Sequence, residues 1–147
     1  MPRLLRSART PTWLGHGSDR AGTARERPVG PEEILVDLRR RFSLDGDRLI
    51  LAGRGTGGDV AWDFACGHPD EFAGLVSLSG LPVNYATRYT SNFAALPVLS
   101  LHGGLNMQRA GTMYAEFSKL CAKKCDAIHI VYPARGGESF ASDVPFI

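Results

Sequence analysis

An α/β fold, a parallel sheet of about four strands with helices on both faces, is what this sequence predicts. Two observations lead there. Short runs that are apolar throughout alternate with segments whose apolar residues recur at helical spacing, and turns bearing glycine or proline separate most of them. Strands without polar alternation are the kind buried on both faces of a parallel sheet, and right-handed crossovers then carry each helix back over it.

Along the chain, residues 1–30 hold Arg3, Arg6, Arg9, Arg20, Arg25 and Arg27 among prolines and glycines, with no periodicity, and are expected to be loop or disorder. Residues 31–147 form the expected domain. Pro31-Glu32-Glu33 opens a helix with Ile34, Leu35, Leu38 and Phe42 at helical spacing, acids at its first turn and Arg39-Arg40-Arg41 at its last. After the turn Asp45-Gly46-Asp47, Leu49-Ile50-Leu51-Ala52 reads as a strand. A glycine-rich turn over residues 53–58 leads into a helix carrying Val60, Ala61, Phe64 and Ala65, closed by Gly67 and Pro69. Next come a strand at Leu75-Val76-Ser77-Leu78, a loop with Tyr85, Tyr89 and Phe93, and a strand at Val98-Leu99-Ser100-Leu101. A helix with Ala110, Met113, Tyr114, Phe117 and Leu120 and a last strand at Ile128-His129-Ile130-Val131 complete the pattern. Ligands of such sheets bind at the carboxyl ends of the strands, here near Gly53, Gly80, His102 and Pro133.

Composition excludes several roles. A net charge of +2, from 17 Lys+Arg against 15 Asp+Glu, is far from the dense basic surface of a nucleic-acid binder. No stretch approaches the roughly 20 apolar residues of a membrane span, and no signal-peptide core precedes the domain, so a cytoplasmic protein without membrane contact is expected. Cys66, Cys121 and Cys125 lack metal-site spacing and are expected to be reduced thiols, with Cys66 and Cys121 packed at apolar helix positions. No metal or cofactor is implied.

The turn Gly53-Arg54-Gly55-Thr56-Gly57-Gly58 suits two sites. Gly53, Gly55 and Gly58 fit the dinucleotide fingerprint GxGxxG, in which a pyrophosphate rests on the following helix N-terminus. That motif also needs an acid near the end of the next strand, and this one ends Leu78-Ser79-Gly80. Gly53 and Gly57 equally fit the nucleophile elbow GxSxG, whose glycines allow a tight turn that holds one strained residue above the sheet.

Longer stretches favour the elbow. Asp47-Arg48-Leu49-Ile50-Leu51-Ala52-Gly53, Thr56-Gly57-Gly58, Ala61-Trp62, His68-Pro69-Asp70-Glu71-Phe72-Ala73-Gly74 and Leu78-Ser79-Gly80 resemble the elbow region of α/β-hydrolases. The similarity is to esterases related to polyhydroxybutyrate depolymerase and feruloyl esterase, and it runs from about Glu32 to the chain end. It implies the C-terminal half of that fold, the family's earlier strands having no counterpart in the arginine-rich start.

By this resemblance the nucleophilic serine maps to Gly55, which has no side chain. The acid, which follows a His-Gly pair in the family, maps through Leu101-His102-Gly103-Gly104-Leu105 to Asn106. The general-base histidine maps through Tyr132-Pro133-Ala134-Arg135-Gly136-Gly137 to Gly137. No nucleophile, acid or base stands at these degenerate triad positions. The elbow itself, with Gly53, Thr56, Gly57 and Gly58, keeps a backbone oxyanion donor at the N–H of Thr56. Thr56, Ser79 and Ser100 are poor substitutes, being misplaced or without an evident base. His102, His129 and His68 read as structural, a strand-capping residue, a satisfied core histidine and a helix-terminal residue respectively.

The expectation is an esterase-type α/β-hydrolase-like protein without catalytic residues, keeping a crevice for a small ester or acyl ligand. An open sheet edge would admit a protein partner or a second copy. Two rivals stand beside it: an active carboxylic-ester hydrolase using other residues, and a dinucleotide-binding fragment.

Overall fold

The computed structural model describes residues 30–137; the arginine-rich segment, apart from Gly30, lies outside the described residues. Helix α1 spans Pro31–Arg41, with Pro31 at its start and Glu32 and Glu33 in its first turn, as the charge pattern predicts. Strand β1 (Ile50–Arg54) follows a 3-10 turn at Gly46–Arg48, and α2 (Thr56–Gly67) leaves β1 across the single residue Gly55. Then come β2 (Gly74–Leu78), the short α3 (Asn84–Arg88), a 3-10 turn at Thr90–Ala95, β3 (Val98–Gly103), α4 (Met107–Ala122) and β4 (Ala127–Tyr132). The stretch around Tyr85 and Phe93, expected as loop, is thus one short helix and one 3-10 turn, and Phe93 is buried against Trp62.

The four strands pair in parallel in the order β1-β2-β3-β4. The sheet is the one expected, but among the described residues its helices pack on one face. Leu75, Val98 and Ala127 lie in register, as do Ser77, Ser100 and His129. These rows meet α2 through Trp62 and Ser77, and α4 through Phe117 and His129. The main core forms there, with Trp62, Phe93, Leu75, Leu96, Met113 and Leu120 removed from solvent. The reason is topological. A strand order that never reverses, joined by right-handed crossovers, sets every connection on the same side.

The opposite face carries Ile50, Ala52, Val76, Leu99 and Ile128, and only its carboxyl half, at Leu78 and Leu101, is buried. Ile50 and Ile128 stand 59% and 57% exposed, so apolar character alone did not mean double coverage. Among the described residues β1 and β4 are the sheet edges, and no helix is long and apolar enough to cross a membrane.

Candidate functional site

Gly55 sits at the tip of the β1–α2 turn with φ 54° and ψ −124°. Its N–H donates to the Leu78 carbonyl at 2.8 Å, and its own carbonyl accepts the first helical bond, from Asp59 at 3.0 Å. Only glycine adopts this backbone cheaply, and a Cβ at Gly55 would meet nothing within 4 Å. Gly53 is needed for a different reason, since a Cβ there would run into the backbone of Gly57. Gly58 likewise approaches Gly80, where an added Cβ would lie 2.8 Å from the Gly80 Cα. The turn is therefore a sharp strand-to-helix elbow, with Thr56 opening α2.

The other two triad-mapped positions come to the same edge. Asn106 is the half-buried residue that begins α4, its N–H donating to the Gly103 carbonyl at 3.1 Å. Residues 135–137 leave β4 and run back over the end of β3, so closely that a Cβ on Gly103 would collide with the carbonyls of Arg135 and Gly136. Leu105 N–H donates to the Arg135 carbonyl at 2.9 Å, and Arg54 Nη2 to the Gly137 carbonyl at 3.0 Å. A strap at Gly137 thus joins the elbow on one side and the Asn106 loop on the other.

A second tie holds the loops from below. Asp59, in the first turn of α2, pairs with Arg109 of α4 and accepts from Leu81 N–H at 2.7 Å, while Arg109 Nε donates to the Ser79 carbonyl at 3.0 Å. From the sequence alone Asp59 signals only a dipole contact at the start of its helix. Neither Arg109, 50 residues away, nor the bond of Arg54 to Gly137 left a local signal.

The histidines need correction. His102 lies within β3, fully buried, and Ser100 Oγ stands 3.4 Å from its Nδ1, so Ser100 does have an imidazole beside it. Both side chains lie on the helix-covered face, out of reach of solvent. Burial first, then the neighbouring His129 and Arg109, push the His102 pKa down to about 4, and a backbone contact at Gly80 offsets this only partly. It is therefore neutral at pH 7. His129 is lowered too, mainly by burial, with a backbone contact at Ser100 offsetting this in part, and neither ring nitrogen makes a hydrogen bond of full geometry among the described residues. It is not the satisfied core histidine expected. Its ring packs instead against His102 and Phe117.

Ser79 has φ 56° and a buried hydroxyl with no hydrogen-bond partner among the described residues. His68 caps α2, its ring against Phe64 and its Nε2 3.6 Å from Glu32, as a structural residue would. Cys66 is buried and its thiol pKa raised, chiefly by burial, whereas Cys121 is exposed, contrary to the packing expected of it. No group of three or more His, Cys, Asp or Glu among the described residues could hold a metal ion.

Surface hollows lie elsewhere. One of about 300 Å³ is bounded by α1, the outer side of α2 and Tyr85, and another of about 240 Å³ lies along the amino half of the sheet between Ile50 and Ile128. Neither includes Gly55, Asn106 or Gly137, which share the ledge at the carboxyl edge of the sheet.

No family model matches the chain. No curated protein matches it either. Solved structures do. A thermostable esterase superposes with TM-score 0.62 at 17% identity, over 69% of this chain and 26% of that one. A ferulic acid esterase superposes with TM-score 0.59 at 15% identity, over 79% of this chain and 55% of that one. A dienelactone hydrolase from Anabaena variabilis aligns more loosely, with TM-score 0.47 at 18% identity, over 74% and 59% of the two chains. The chain spans about a quarter and about half the length of the first two. The fold is α/β-hydrolase-like.

Proposed function

We propose that this chain is an esterase-type, α/β-hydrolase-like protein that does not hydrolyse esters and uses the carboxyl edge of its sheet to bind a small ester or acyl compound. The observation that carries the reading is Gly55, a residue with no side chain at the apex of a strained elbow. An elbow exists in such folds to present a nucleophile, and a glycine presents none. Asn106 and Gly137 support it, because they come to the same edge without supplying an acid or a base.

The rival active reading would need Ser100 with His102, but a fully buried pair cannot meet an ester carbonyl without the sheet opening. The experiment is treatment of the purified chain with a fluorophosphonate probe and with p-nitrophenyl acetate. No labelling and no turnover above a control protein are expected. Stoichiometric labelling at one serine would overturn the proposal. Calorimetric titration with nicotinamide cofactors tests the dinucleotide reading, which micromolar binding lost on enlarging Gly55 would establish in its place. Association through β1 or β4 belongs to the same proposal and is read by sedimentation.

A further inference from the structure

Arg54 belongs to none of the three triad positions. It stands one residue before Gly55, is exposed, and reaches across the ledge to the Gly137 carbonyl at 3.0 Å. That contact uses one donor of the guanidinium on a neutral acceptor. Among the described residues no carboxylate pairs with it. At an exposed position a one-point neutral bond is weak, and a carboxylate taking two donors side by side replaces it with a charge-assisted, bidentate one.

The surroundings carry the same sign. From the last residue of each strand through the first turn of the next element, the charged side chains among the described residues are Arg54, Asp59, Arg109 and Arg135. Asp59 is already committed to Arg109 and Leu81, and Arg135 stands over the Tyr132 ring with its guanidinium carbon 4.9 Å from the centroid. The positive end of α2 adds to this field. Among the described residues this ledge holds three arginines and one acid, a balance that attracts an anion. The planar fork of Arg54 matches a carboxylate that takes two donors side by side.

We propose that Arg54 and the elbow beside it form a binding site for a small monocarboxylate. The assignment rests on the binding role proposed above and names its ligand class.

The test is titration of the full chain with benzoate, followed by NMR amide shifts, with benzamide and inorganic phosphate as comparison ligands. Saturable benzoate binding is expected, weakened about tenfold or more in Arg54→Gln and unchanged in Lys123→Gln at the far end of α4. Arg54→Lys keeps the charge without the fork and should fall between. This separates loss of recognition from loss of fold, which circular dichroism also checks. Equal binding of benzamide, an unaltered affinity in Arg54→Gln, or tighter binding of phosphate than of benzoate would each overturn the proposal. Fluorophosphonate labelling with benzoate binding intact would defeat only the non-hydrolytic reading, and absent benzoate binding without labelling would defeat only this one.

Discussion

The indole N–H of Trp62 donates to the hydroxyl of Ser77 at 2.9 Å, and neither side chain reaches solvent. This bond ties the second turn of α2 to β2 beside the elbow. Ser77→Ala removes the acceptor and leaves a buried donor unpaired, which should lower unfolding stability by about 1–3 kcal/mol. Urea denaturation followed by circular dichroism measures it. A change within error of zero would mean that the indole finds another partner or that water enters.

Glycines should respond in opposite directions according to what surrounds them. Gly53→Ala drives a methyl into the Gly57 backbone and should cost about 1–3 kcal/mol. Gly111, inside α4 with open space around its Cα, should instead gain about 0.5–1 kcal/mol on change to alanine. Thermal unfolding of the two variants should therefore shift to opposite sides of the parent.

Burial of His102 makes stability depend on acid. Its folded pKa of about 4 lies below the ordinary value of 6.5, so between those values the unfolded chain holds more protons than the folded one. Stability is full above about 6.5, falls as the pH drops toward 4, and flattens below. The loss should approach about 3 kcal/mol from this group, with a further loss of the same sign from His129. Denaturation curves across that range check the sign, and His102→Asn should flatten them. A parent whose stability rose on acidification would contradict the burial of this ring.

These effects divide by how far apart in the chain their causes lie. Apolar runs such as Leu75 to Leu78 and the glycine spacing of 53, 55 and 57 are local, and they announced the strands and the elbow to within a residue or two. Coverage was not local: Ile128 looks as buried in sequence as Leu101, but one lies exposed on an edge strand and the other packs with Leu78 and Tyr132 on an inner strand. The ties of Arg54 to Gly137 and of Asp59 to Arg109 join residues 83 and 50 positions apart, and no periodicity encodes such pairs. His102 and His129 meet only because β3 and β4 pair in the observed register. The site was therefore legible as a backbone shape and hidden as a set of side-chain partners.

Restoring the three triad residue types should not restore a working esterase. Gly55→Ser meets no steric obstacle, but a side chain at φ 54° and ψ −124° costs about 1–3 kcal/mol. Asn106→Asp should be tolerated, since aspartate suits the start of a helix as well as asparagine. Gly137→His is the weak point. Its backbone is exposed, and among the described residues a Cβ there meets nothing within 4 Å, so no neighbour among them fixes the χ angles of the new imidazole. A nucleophile and base must meet at about 2.6–3.2 Å, and a misplacement near 1 Å costs on the order of 10²-fold. The triple variant should therefore hydrolyse p-nitrophenyl acetate at least about 10²-fold more slowly than a related intact esterase. Fusing the N-terminal half of such an esterase should recover more rate than any further change at the three positions. Near-complete activity from the triple variant alone would show that the strap holds the imidazole well and that the loops at this edge of the sheet already supply every transition-state contact.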